Sequence, residues 1–186
     1  MNVTTSPARN RLLETATRLF YADGIQAIGV DRLVNEAKVT RATFYKQFPS
    51  KEDLVRAYLA QHDQRLRAQI ETLAERARDP KDLVAALVDW LGELACAPGF
   101  RGCAFINAAA EYPDPGHPVR GVIAEHRRWL HKRLKGILAE AGHPRPDEAA
   151  TTLILLRDGA MVGGYLDDPA AVTASLRSAV KAALSL

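Results

Sequence analysis

Prolines, glycines and helix-capping residues punctuate this chain at helix-length intervals, and between them apolar side chains recur every third or fourth position. That spacing is the period of an α-helix, and strict alternation, the mark of a half-buried strand, is missing. Ser6-Pro7 offers a side-chain cap and a proline at the first helical position. Leu12, Leu13, Ala16, Leu19 and Phe20 follow at helical spacing until Asp23-Gly24, where glycine can take a left-handed stop. A short helix fits Val30 to Ala37, and another fits Thr40 to Phe48, capped by Thr40 and ended by Pro49. Ser50-Lys51-Glu52-Asp53 reads as a capping box opening a helix to about Arg78, with Leu54, Tyr58, Leu66, Ile70, Leu73 and Ala77 inward.

The same punctuation continues downstream. Asp79-Pro80 starts a helix faced by Leu83, Leu87, Trp90, Leu91 and Leu94, which Ala97-Pro98-Gly99 stops. Gly102 to Tyr112 is a short apolar segment closed by Pro113, Pro115, Gly116 and Pro118. Val119 to Ala141 predicts a long amphipathic helix ending at Gly142, and Pro146 to Leu166 a largely apolar one. Asp168-Pro169 caps a last helix, Ala170 to Leu186. The expectation is an all-α fold of about nine helices. Ile25 to Gly29 has strand-like residues, but at that length it reads as a connector.

At 186 residues, with 47% hydrophobic and 25% charged side chains, the chain can bury a core without staples. The first twenty residues hold three arginines and no uninterrupted apolar stretch, so no signal peptide is expected. No run approaches the ~20 apolar residues of a membrane-spanning helix, so no membrane partner is expected. Cys96 and Cys103 are too few for a disulfide framework and suit a reducing cytoplasm. The net charge of +3 is unevenly spread: residues 1–58 hold nine Lys/Arg against six Asp/Glu, and residues 59–186 hold sixteen of each. A basic module facing a polyanion, joined to a neutral body, fits that asymmetry.

Residues 29–48 have the proportions of a helix-turn-helix: an eight-residue helix, a short turn around Lys38-Val39, then a second helix. Leu33, Val34, Ala37, Val39, Phe44 and Phe48 would pack the pair against the first helix. The outward residues of the second helix are Arg41, Ala42, Thr43, Tyr45, Lys46 and Gln47, types that contact base edges and phosphates. Lys51 opens the next helix, where backbone N–H groups also favour a phosphate. The competing reading is a generic helical bundle with a solvated basic face.

The stretch from Arg11-Leu12-Leu13-Glu14-Thr15-Ala16 through Gly24 and Val30 to Ala37, then Val39-Thr40-Arg41-Ala42-Thr43-Phe44-Tyr45-Lys46-Gln47-Phe48-Pro49-Ser50-Lys51-Glu52-Asp53-Leu54, closely resembles the TetR family of repressors. The resemblance covers about the first 58 residues without a gap. It implies a DNA-binding domain over 1–50 and a ligand-binding and dimerisation domain over 51–186. It puts Arg41, Ala42, Thr43, Tyr45, Lys46 and Gln47 in or beside the major groove, with Val30, Arg32 and Lys51 completing the DNA-facing set. Ala42 and Lys38 stand where many members have glycine; Lys38 costs little there if its φ stays negative.

Beyond residue 58 the resemblance implies architecture more than residue roles. The last two helices, about 147–186, would form a four-helix homodimer interface. The near all-round apolar character of Ala149 to Tyr165 independently implies burial on both sides, and Gly159, Ala160, Gly163 and Gly164 would allow close approach. A pocket for an unidentified small organic ligand is expected among the middle helices, with Phe105, Asn107, Glu111, His126 and Trp129 as candidates. Arg157-Asp158, inside the apolar helix, must find partners, either across the dimer or on a ligand. Cys103 follows Arg101-Gly102 at a helix start, a setting that lowers a thiol pKa, and so offers a redox or electrophile switch as an alternative.

No nucleophile–base pair, glycine-rich phosphate loop or ligand spacing among the five histidines asks for catalysis, a metal or a cofactor. The reading is a cytoplasmic, ligand-responsive repressor on double-stranded operator DNA, not an enzyme. In it, a small molecule shifts the pendulum-like helix after Ser50 and changes the spacing of the recognition helices. A helical small-molecule-binding module that does not touch DNA is the reading from another class.

Overall fold

A computed structural model describes residues 6–184. Among them are nine helices and no strand: α1 (Pro7–Asp23), α2 (Val30–Glu36), α3 (Arg41–Gln47), α4 (Lys51–Arg76), α5 (Pro80–Ala95), α6 (Ala104–Glu111), α7 (Pro118–Glu140), α8 (Pro146–Leu166) and α9 (Pro169–Leu184). The expected all-α fold is therefore found, and each expected helix is present to within a few residues at its ends. The last two residues of the expected final helix, 185 and 186, lie outside the described residues.

Local chemistry accounts for most boundaries. The Thr40 hydroxyl accepts the Thr43 N–H at 3.1 Å and the Asp79 carboxylate accepts that of Asp82 at 2.9 Å, so each satisfies a donor that a helix start leaves unpaired. Ser50 forms half of its expected box: its hydroxyl accepts the Asp53 N–H at 3.1 Å and donates to the Asp53 carboxylate at 2.9 Å. Ser6 departs from expectation, since its side chain makes no cap hydrogen bond; proline at the first position starts α1 instead. Lys38 departs too. Its φ is +53°, in the left-handed region, because the chain must reverse sharply for the Val39 N–H to reach the Val34 carbonyl at 3.0 Å.

The chain forms two compact units, Met1–Asp63 with Ala104–Ile123, and Gln64–Cys103 with Ala124–Leu186. In the first, Leu12, Leu19, Phe20, Leu33, Phe44, Phe48, Leu54 and Tyr58 are buried, with Phe20 edge-on to Tyr58 at 5.6 Å between ring centroids. Ile25 and Ile28 are buried here as well, so the strand-like residues of the α1–α2 connector are core plugs. This unit extends beyond Ser50 and includes α6.

The second unit packs α5, α8 and α9 with the latter parts of α4 and α7. Two glycines set the closeness. A Cβ at Gly92 would lie 2.3 Å from Thr173 Cγ2, and one at Gly164 would lie 2.8 Å from the Ala95 Cβ. Gly159, by contrast, opens onto free space. The apolar α8 is buried on one side only within this protomer: Leu153, Ile154 and Met161 are covered, while Leu155 (66% exposed), Val162, Tyr165 and Leu166 (68%) face outward.

Candidate nucleic-acid interface

Two aromatic anchors orient α3. Phe44 is buried within the helix and Phe48 at its C-cap, ring centroids 6.3 Å from each other, and that fixes which side of this short helix points away from the core. Arg41, Ala42, Tyr45 and Lys46 are consequently exposed, while Thr43 and Gln47 are half-buried. The Thr43 hydroxyl is 2.9 Å from that of Thr40, and Tyr45 stands edge-on to Phe44 with its phenol outward. Six of the nine residues expected to face DNA thus lie on one short helix.

The remaining three sit differently. Val30 is half-buried at the start of α2. Arg32 is held by Asp23 at 2.8 Å and Glu36 at 3.0 Å, and Arg18 joins Glu36 as well, so this guanidinium ties α2 to α1. Lys51 is half-buried at the start of α4; burial pushes its ammonium below the usual lysine range, partly offset by Glu52 and Glu111.

Three contacts brace α2 and α3 that residue spacing did not single out. Arg9 donates to the Gln47 carbonyl at 2.8 Å while its guanidinium lies 4.1 Å from the Phe48 ring centroid. Arg11 donates to the Ala37 carbonyl at 3.2 Å. Both cations meet carbonyls at helix C-termini, where the backbone lacks partners and the dipole is negative. Asp31 holds Arg41 through a two-pronged pair, Nε to Oδ1 at 2.7 Å and Nη2 to Oδ2 at 2.9 Å. The hydrogen bond to Asp31 raises the Arg41 guanidinium above its ordinary value.

The five ligand candidates are divided between the two units. Phe105, Asn107 and Glu111 belong to the first unit, His126 and Trp129 to the second. Glu111 caps a connector: its carboxylate accepts the N–H groups of Ile25 at 2.9 Å and Gln26 at 2.6 Å. Phe105 is buried and Asn107 half-buried on α6. His126 is buried with its ring 6.4 Å from that of Trp129, and the Arg67 guanidinium covers Trp129 at 4.2 Å. A cavity of about 60 Å³ lies elsewhere in the second unit, walled by side chains such as Leu66, Leu87, Trp90, Leu130 and Leu153, with Arg157 its one charged lining residue.

Arg157 and Asp158 find partners inside the protomer. Arg157 donates to Asp158 Oδ1 at 2.7 Å and to the Cys103 sulfur at 3.2 Å, and Asp158 also accepts from Arg127 at 2.8 Å. Burial alone would push the Arg157 guanidinium down, but the Cys103 sulfur and Asp158 more than offset it and hold it above its ordinary value. These contacts supply in one chain what was expected of a dimer partner or a ligand.

Residues 12–58 match the family profile described as bacterial regulatory proteins, tetR family. The chain superposes on SCO4454, a TetR-family transcriptional regulator from Streptomyces coelicolor, with a TM-score of 0.93 at 44% identity; the match covers 97% of this chain and 96% of that one. The chain belongs to the TetR family of transcriptional regulators. As a TetR-family regulator it shares 24% identity with the HTH-type transcriptional regulator LmrA of Bacillus subtilis, over 83% of this chain and 85% of that protein. It shares 25% with the HTH-type nicotine-responsive transcriptional repressor HdnoR of Paenarthrobacter nicotinovorans, over 91% and 89%. No helix among the described residues of this TetR-family protein is long and apolar enough to cross a membrane.

Proposed function

We propose that this regulator is a ligand-responsive repressor that acts in the cytoplasm as a homodimer on a palindromic operator. The observation that carries the reading is α3 itself: Phe44 buried on one side, Phe48 buried just past its end, and Arg41, Thr43, Tyr45, Lys46 and Gln47 along the other. Arg41, Ala42 and Lys46 are the base-edge candidates; Thr43, Tyr45 and Lys51 are the phosphate candidates. Two such helices about 34–36 Å apart would meet successive major grooves.

The dimer reading is supported by the uncovered α8 face of Leu155, Val162, Tyr165 and Leu166, which a second copy would bury by two-fold symmetry. The ligand reading is supported by the largely apolar cavity of the second unit and by the ligand response named for HdnoR. That lining favours an apolar effector, which would have to widen a 60 Å³ space to enter. Its binding would lower operator affinity through a coupling free energy of about 1–3 kcal/mol. A switch at Cys103 is the weaker reading because the thiol is only 6% exposed.

The test is fluorescence anisotropy of duplexes flanking the protein's own gene, across a salt series, beside a Tyr45→Phe, Arg41→Ala double variant. Saturable binding by two or more protomers per site, a salt slope and loss in the variant are expected. Failure on that DNA and in a random-duplex selection, by a folded protein, would overturn the reading.

A further inference from the structure

The contact between Asp31 and Arg41 joins the two helices of the motif at the one place where α3 begins. Arg41 is the first residue of α3, and the opening turn of a recognition helix is the part that meets base edges. Its guanidinium is planar and carries five N–H donors in fixed directions. Asp31 occupies the Nε–H and one Nη2–H, along one edge of that plane. The edge formed by Nη1 and the other Nη2–H remains, and it is again a two-pronged donor.

We propose that Asp31 is a specificity-determining positioning residue, which holds Arg41 so that its free edge reads a guanine in the major groove. Only guanine presents two acceptors there, O6 and N7; adenine, thymine and cytosine each present at most one. With the carboxylate beside it, the guanidinium belongs to a pair of no net formal charge. The pair therefore has little to offer a phosphate, and what it brings to DNA is geometry. Both side chains are exposed, Arg41 at 60% and Asp31 at 72%, so the pair stands open to solvent and to DNA. An unrestrained arginine would have to give up rotamer freedom on meeting the base; here that freedom is already reduced. The inference rests on α3 being the DNA-facing helix.

The experiment is selection from a randomised duplex library with full-length wild type, Asp31→Ala, Asp31→Asn and Arg41→Ala, followed by anisotropy on the enriched duplex and its single-base variants at one salt concentration. Wild type should enrich guanine at one position of each half-site. Arg41→Ala should lose the preference at that position alone. Both Asp31 variants should lower it by on the order of tenfold at the same position, with other positions unchanged. If Asp31 only dampens attraction to phosphates, its variants will tighten binding to every duplex alike and leave base preferences intact, which overturns the inference. It is overturned equally if Arg41→Ala changes no base preference but flattens the salt slope by about one. A folded wild type that enriches no sequence overturns the DNA-binding reading and this inference with it; the two preceding outcomes overturn the inference alone.

Discussion

Glu111→Ala is expected to loosen the connector between α1 and α2 without unfolding the chain. In the wild type this carboxylate accepts two backbone N–H groups, Ile25 at 2.9 Å and Gln26 at 2.6 Å. Hydrogen bonds to a charged acceptor contribute about 1.5–3 kcal/mol each. The sum is smaller here because the Gln26 amide is exposed and water replaces its partner at little cost. The Ile25 amide belongs to a residue only 2% exposed and rehydrates poorly, so most of the loss is its own. About 2 kcal/mol in total is expected, which is about 30-fold in the local opening equilibrium. Amide hydrogen exchange reads that equilibrium directly. The amides of Ile25 and Gln26 should exchange about 30-fold faster in Glu111→Ala, with α8 and α9 unaffected. Glu111→Gln, which keeps one acceptor, should fall between. Unchanged exchange at both amides in a folded variant would refute the capping role assigned to Glu111.

Three further outcomes follow from the packing and charge. Gly92→Ala places a methyl 2.3 Å from Thr173 Cγ2, and Thr173 is pinned by its hydroxyl donating to the Pro169 carbonyl at 2.7 Å. Overpacking there should cost about 1–3 kcal/mol in urea unfolding, whereas Gly159→Ala, which meets nothing, should be nearly silent. Burial, then the charges of Glu52 and Glu111, push the Tyr112 phenol up to about 12, against the hydrogen bond with Gln26. Because the folded value lies above the unfolded one near 10, the contribution of Tyr112 is whole below pH 10 and lost as pH rises to about 12. Tyr112→Phe should remove that part of the alkaline decline in melting temperature. Leu166→Glu, at a side chain 68% exposed in the protomer, should give a monomer in sedimentation with helix content unchanged; a persisting dimer would place the interface elsewhere.

What could be read from the residues alone was local. Helix ends followed from Thr40, Asp79, Pro49 and Gly24, whose effects reach three or four positions along the chain, and the α3 face followed from the period that sets Phe44 and Phe48 together. The motif itself was legible for the same reason, since its packing residues and outward row lie within about twenty positions of one another. Even locally, Ser6 and Lys38 show the limit: a residue suited to a cap need not make it, and the sign of φ at a turn depends on the path the chain must close. What depended on distant segments meeting was decided by the tertiary structure alone. Glu111 caps an amide 86 positions away, and Arg157 reaches Cys103 across 54. The cavity draws its wall from helices spread over more than half the chain and excludes both His126 and Trp129. A helical period says which side chains face inward but not which partner each will find. That choice is made only when helices far apart in sequence pack, because short-range hydrogen bonds and contacts carry no information beyond their reach.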